Sequence, residues 1–334
     1  MNAFKGKKTM QTRRRFLGAA AAGLVGSALP FASRAQAFDQ VRILVGFPPG
    51  GTTDVMARKV AEKLRGAYAR VAIVENKPGA GGQLGVIALK DSPADGSVLL
   101  LTPSSMLTIY PTTYPKLQYK VEDVAPVSLA MYSHHVFSVG PAVPESVRTV
   151  NDFFAFARAN PDKAAYGSPG AGSMPHLIGV LIAKAGGVDL RHVAYRGSAP
   201  GIQDLVGGQV PAFFGPTGDV ITHSKAGRVR VLGTSGAERN AFLPGAPTLR
   251  EQGFSIALRE WYAFFMPGRA TGEAAQRAAA ALQPVLKDPE VLEFGRQFGL
   301  EIQASSPREL AEVFRADAAE WSGLARQTGF TAES

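Results

Sequence analysis

The sequence predicts an α/β fold of two lobes joined by two crossing strands. Three observations carry this. First, continuous apolar strands alternate with helical patterns in two separate runs, the signature of parallel sheets covered by helices. Second, two long extended segments, 125–141 and 255–268, lie where the chain would pass between the runs. Third, six polar or glycine-rich loops each follow a strand and precede a helix or turn. Those positions are the strand ends where open parallel sheets bind ligands.

The N-terminus stands apart from the fold. "TRRRFLGAAAAGLVGSALPFASRAQA" has a basic head, a short apolar run broken by glycine, and a small-residue end at Ala35-Gln36-Ala37. Residues 1–37 therefore read as an export signal cleaved near Ala37, and the expected location is the periplasm. "TRRRFLG" has the twin-arginine form, which carries folded proteins across the inner membrane. The net charge of +9 belongs largely to this segment. Seven of the 36 basic residues lie in 1–37 and none of the 27 acidic ones, which leaves 29 against 27, a net +2. Nothing in that balance argues for nucleic acid as a partner. The remaining 297 residues are enough for one large core or two smaller ones. The chain has no cysteine, so an exported protein of this kind rests on its core and not on disulfides.

The elements follow in order. "VRILVGF" (41–47) is a continuous apolar strand. The helix after it carries Val55, Met56, Val60 and Leu64 at helical spacing, with Asp54 at its start as N-cap. "RVAIVEN" (70–76) and "SVLLLTP" (97–103) are the next strands, separated by a glycine-led helix. After the extended segment 125–141 the pattern restarts with helices and strands from "VNDFFAFARANP" to "VRVLGTSG". The second extended segment, 255–268, precedes three C-terminal helices, expected on the first lobe. This division places the first lobe at 38–138 with 264–334, and the second at 139–263. No solenoid period and no low-complexity linker interrupts it.

The loops point to anion binding. They are "PPGGTTD" (48–54), "PGAGGQLG" (78–85) and "TPSSM" (102–106) in the first run, then "SPGAGSMPH" (168–176), "YRGSAPG" (195–201) and "GPTGD" (215–219) in the second. The first N–H groups of a helix lack partners and sit at the positive end of its dipole. Glycine lets an anion approach that backbone closely. Each such loop taken singly is also an ordinary tight turn; the recurrence of six is the signal. None is a Walker loop, since Lys-Ser/Thr never follows the glycines, and "GAGGQL" ends in Leu84 where a dinucleotide fingerprint needs glycine.

Candidate catalysts are few. His134 and His135 are adjacent on a strand and point to opposite faces, a poor metal pair. His192 and His223 read as surface residues. His176 falls in the first turn of a helix behind Pro175, as either a buried structural group or a ligand contact. No G-x-S-x-G elbow or H-E-x-x-H motif occurs. Trp261 and Tyr262 are either core residues or an aromatic wall of the cleft. No cofactor, no metal and no enzymatic activity is expected.

These residues carry a resemblance. "VGFPPGGTTDVMAR", "VENKPGAGGQLG", "ADGSVLLLTPSS", "YGSPGAGSMPHL", "VAYRGSAPGIQDLVGGQV", "LPGAPTLREQGF" and "EWYAFFMPG" occur in the order and spacing of one family. The chain resembles the substrate-binding proteins of tripartite tricarboxylate transporters, the Bug-type receptors. The resemblance implies a type II two-lobed periplasmic binding (Venus flytrap) fold. It implies a small organic acid held between the lobes, a monomer, and membrane subunits of a transporter as partners. The alternative partner is a membrane sensor kinase. Carried over, the ligand-binding residues are Pro49, Gly50, Gly51, Thr52, Asp54, Gln83, Thr102 and Ser104 in the first lobe. In the second they are Ser168, Gly172, Ser173, His176, Arg196 and Gly197. In this reading the "PPGGTTD" loop presents N–H groups to a carboxylate, while Asp54 caps the helix or holds a bridging water. The chain departs from the family pattern at Met174, at Gly215-Pro216 and at Gln83.

Overall fold

A computed structural model of the chain describes Met1 and residues 38–332. The chain divides into Met1–Gln36 and Ala37–Ser334. The expected export signal lies outside the described residues, and the fold is that of the second unit.

The first run is β1 (Phe38–Val45), α1 (Thr52–Leu64), β2 (Ala69–Asn76), α2 (Gln83–Lys90) and β3 (Val98–Pro103). Two single-turn helices follow, α3 (Ser105–Thr108) and α4 (Tyr110–Thr113), then the strands β4 (Val124–Ser133) and β5 (His135–Val139). The second run is α5 (Val150–Ala159), β6 (Ala165–Ser168), α6 (Met174–Ala185), β7 (Arg191–Ala194), α7 (Ser198–Val206), β8 (Ala212–Pro216), α8 (Thr217–Lys225) and β9 (Arg230–Thr234). The chain ends with β10 (Glu260–Pro267), α9 (Gly272–Leu286), α10 (Pro289–Gln297), β11 (Glu301–Ile302) and α11 (Pro307–Thr328).

Two sheets result. One has six strands in the order β11-β4-β10-β3-β1-β2, the other five in the order β7-β6-β8-β5-β9. The βα units pair in parallel, as their continuous apolar strands require: β1 with β2 and β3, and β6 with β7 and β8. The crossing strands do not. β10 lies antiparallel between β3 and β4, and β5 lies antiparallel between β8 and β9. Each arrives from the opposite lobe and so runs against its new neighbours. The sheets are mixed where the sequence suggested parallel.

The crossings sit earlier than the sequence division placed them. β4 ends at Ser133, paired with Glu260, and β5 begins at His135, paired with Pro216. His134 is the single residue between the two sheets. On the return, β10 belongs to the six-stranded sheet from Glu260 onward. Both changeovers fall about four residues before the expected 138/139 and 263/264 edges. An unbroken apolar run does not show where a strand exchanges one partner for another.

Strand alternation sorts the core into layers. In the six-stranded sheet Val41, Ile43, Val45, Leu99 and Leu101 face α1 and α9, while Leu44, Val98 and Leu100 face the opposite side. In the five-stranded sheet Val136 and Phe213 pack on Ile202 and Leu205 of α7, while Phe137 and Phe214 turn to the other face. α9 and α10 pack on the first lobe as expected, but α11 also reaches α6 of the second. Just beyond α11, the Phe330 ring meets His176 edge-on at 4.7 Å, and the Ala332 N–H donates to the Thr113 carbonyl.

One glycine is demanded outright. Gly82 has φ +101°, and a Cβ there would lie 2.6 Å from Met106 Sδ and 2.8 Å from the Phe47 ring. It brings the start of α2 against the loop after β1.

Candidate functional site

The cleft between the sheets is bordered by helix starts. At α1 the N-cap is Gly51, with ordinary extended angles and no side-chain cap. Asp54 lies a turn further in. Its Oδ2 accepts from the Gly50 N–H (2.9 Å) and from Arg58 Nε (3.0 Å). Its Oδ1 accepts from Arg58 (2.9 Å) and from Asn76 Nδ2 (2.8 Å), and Asn76 also holds the Phe47 carbonyl. Burial pulls the Asp54 carboxyl upward, but Arg58, the Gly50 N–H and Asn76 outweigh it and hold it below the usual range. Asp54 is thus the tie of the "PPGG" loop and not the N-cap expected from the sequence. It takes up the Gly50 N–H that the sequence reading offered to a ligand.

The next donors meet an anion, and the anion is the protein's own. The Thr52 N–H and hydroxyl both donate to Asp219 Oδ1, at 2.6 and 2.7 Å. Asp219 belongs to the first turn of α8 in the second lobe, 167 residues away. Burial pushes its carboxyl above the ordinary value, opposed by bonds from Ser198 and Thr52.

A second acid closes the other end of the cleft. Glu260, 2% exposed, accepts from the Ser105 N–H (3.0 Å) and the Ser105 hydroxyl through Oε1, and from His135 Nε2 (3.0 Å) through Oε2. Ser105 Oγ accepts in turn from the Met174 N–H at the start of α6 (3.0 Å). Met174, a departure from the family pattern, meets this network through its backbone. Gly215, another, is required by packing, since a Cβ there would stand 2.4 Å from the Phe213 ring.

The space between these groups, with the open solvent at its mouth included, measures about 520 Å³. Its apolar wall is Phe47, Pro48, Pro103, Met106, Pro169, Pro175 and Pro216. Its polar wall is Thr52, Thr53, Ser105, His135, Ser173, Ser198, Asp219, Glu260 and Tyr262. Neither Arg nor Lys lines it. An adjoining outer opening is bordered by Gly50, Gly51, Ala199, Asp219 and His223.

Of the expected ligand residues, Gly51, Thr52 and Ser173 stand on the wall, and Gly50 on the outer opening. Pro49 is exposed above the loop. Gln83, Thr102, Ser104 and Ser168 are buried behind the wall. The Gly197 N–H is committed to the Pro169 carbonyl, and Arg196 beside it is exposed and off the wall. The Gly172 N–H donates to His176 Nδ1 (2.9 Å). His176 is the structural group of its two readings. Its ring stacks on His192 at 3.7 Å, and His192 Nε2 pairs with Ser168 Oγ at 2.8 Å. Burial lowers His176 to about 3 and His192 to about 4, so both are neutral. His192 is therefore a packed residue and not the surface one expected. Tyr262 is a wall residue; Trp261 faces Phe265 and Phe314 in the core.

Sequence reasoning missed Ser105, His135, Ser198, Asp219 and Glu260. Ser105, Ser198 and Asp219 lie inside loops it had singled out, the first two next to residues it had named, Ser104 and Gly197. Glu260 is a lone acid opening the apolar strand "EWYAFFMP", an anomaly that marks it. Among the described residues no cluster of three metal-ligating side chains occurs.

Two α/β lobes, linked by antiparallel crossing strands around a walled cleft, define the type II periplasmic binding protein fold. The chain belongs to the tripartite tricarboxylate transporter family receptors, whose sequence profile matches residues 56–330. It is 32% identical over 319 residues to a UPF0065 protein from the tcbD-tcbE intergenic region of Pseudomonas sp. strain P51, covering 93% of each chain. It is 29% identical to Protein BugT of Bordetella pertussis, covering 91% of this chain and 94% of that one. Among solved structures, the periplasmic binding protein BugD superposes with a TM-score of 0.82 at 26% identity, covering 88% of this chain and 99% of the other. R. palustris Rpa4515 with adipate superposes with a TM-score of 0.81 at 27% identity, over 87% and 98%.

Proposed function

We propose that this receptor captures a small organic acid between its lobes in the periplasm and delivers it to the membrane subunits of a tripartite transporter, without turnover. The observation that carries the reading is the inter-lobe space itself. It is concave, partly open, partly apolar, and bordered by the starts of α1, α3, α6, α7 and α8. That is the form of a small-molecule site. The adipate complex of the R. palustris relative supports an acid as the ligand class.

A thermal-shift screen of mono-, di- and tricarboxylates and aromatic acids tests it. A ligand at a hundredfold excess over Kd adds about 2.7 kcal/mol of stability. If no acid raises the melting temperature, the reading fails. Residues 1–37 act as a twin-arginine signal cleaved near Ala37. Changing Arg13 and Arg14 to Lys should leave precursor in the cytoplasm, and normal export of that variant would refute this. The exported protein works as a monomer. Affinity capture should retrieve transporter membrane subunits; retrieval of a sensor kinase in their place would assign it to signalling.

A further inference from the structure

The charge balance of the cleft narrows the ligand. Its wall carries two carboxylates, Asp219 and Glu260, and no Arg or Lys. His135 is bonded to Glu260. Asp219 makes no salt bridge among the described residues; Thr52 and Ser198 give it neutral hydrogen bonds. It borders both the inner space and the outer opening, so its carboxylate faces the volume a ligand would enter.

The donors tell the same story. The α1 donors at Thr52 are taken by Asp219, and the α3 donors at Ser105 by Glu260. The Met174 N–H at α6 is taken by Ser105 Oγ. The start of α7 is one place for an incoming anion, since Gly197 gives no side-chain cap and Ser198 and Ala199 stand on the wall, as do Gly51 and Thr53 at the start of α1. One further group awaits a partner. Tyr262 is 2% exposed and lines the space, and among the described residues its hydroxyl makes no hydrogen bond. The buried Nδ1 of His135 is likewise unpartnered. A dicarboxylate or tricarboxylate would bring two or three negative charges to a wall that already holds two acids and no Arg or Lys.

We infer that the ligand is a small zwitterion, a carboxylate joined to a protonated amine, with the amine seated at Asp219. The carboxylate then lies toward the start of α7, and the Tyr262 hydroxyl bonds the ligand between them. This rests on the receptor reading above and names its substrate class.

The test is calorimetric titration of the exported protein with matched pairs that differ by the amine. The pairs are L-alanine and propanoate, L-aspartate and succinate, 4-aminobutanoate and butanoate, and L-phenylalanine and 3-phenylpropanoate. In the pairs that bind, the amine-bearing member should bind at least tenfold tighter. Asp219→Asn, which keeps an oxygen for Thr52, should cut that preference below threefold. Tight binding of the amine-free acids overturns the inference and leaves the receptor reading standing. A preference that survives in Asp219→Asn overturns the assignment to Asp219. A panel in which neither member of any pair binds overturns the inference, and the wider acid screen then decides the receptor reading. The wild-type comparison decides even if the variant does not fold.

Discussion

Two of the junctions between the lobes are built differently. At the mouth, one half-buried acid of the second lobe, Asp219, bonds the start of α1 through two donors of a single residue, Thr52. Beside the crossing strands, Glu260 gathers Ser105 and His135, and Ser105 gathers Met174, all shielded from water. Glu260 and His135 are the first residues of β10 and β5, immediately past the two crossings. A junction at the crossings moves little when lobes rotate, while one at the mouth must part for a ligand to enter. The contrast teaches that the inner junction is a pivot and the outer one a latch.

The largest expected effect breaks the pivot. Glu260→Ala leaves His135 and two Ser105 donors without an acceptor in a dry environment. Each buried donor left unsatisfied costs about 1–3 kcal/mol. Urea unfolding should show that loss; a change under about 1 kcal/mol would make the inner junction no more than the outer one. Next is Gly82→Ala, which combines a left-handed backbone with overlap on Met106 and Phe47. It should cost about 1–3 kcal/mol. Gly51→Ala is its control, because a Cβ there meets only Asp219 Oδ1 at 3.8 Å, and the protein should melt as before.

The stacked histidines give a pH dependence. His176 and His192 titrate near 3 and near 4 when folded, against an ordinary value of 6.5. The unfolded chain therefore takes up their protons first as pH falls. Stability present above pH 6.5 should be lost as pH falls, down to about 4 for His192 and about 3 for His176, by up to about 1.4 kcal/mol per pH unit for each histidine. His192→Gln should halve that slope, and an unchanged slope would place the loss elsewhere. The smallest effect is at the latch. Asp219→Ala, which removes the acceptor from Thr52, should change apo stability by about 1 kcal/mol, yet shift solution scattering toward a larger radius of gyration. An unchanged radius would mean that Thr52 and Asp219 do not hold the lobes together.

Much of the fold was legible because local signals agreed. Continuous apolar strands, glycines at strand ends and helical spacing placed the βα units. The two extended segments announced a double crossing. What stayed hidden depended on tertiary meetings. The order of apolar residues does not tell β10 to run against β3. The partners of Thr52 and Ser105 lie 167 and 155 residues away, and no local pattern joins them. The loop reading expected ligand carboxylates at these helix starts. It did not anticipate that the chain supplies two of them itself, or that Asp54 turns the Gly50 N–H away from the cleft.

A crystal structure of the exported protein with its tightest ligand tests the central claim most directly. The account predicts the ligand inside the space walled by Phe47, Thr52, Ser105, Asp219 and Tyr262, in contact with residues of both lobes. A ligand bound outside that space, or held by one lobe only with the Thr52–Asp219 junction undisturbed and the inner space filled by solvent, would contradict it.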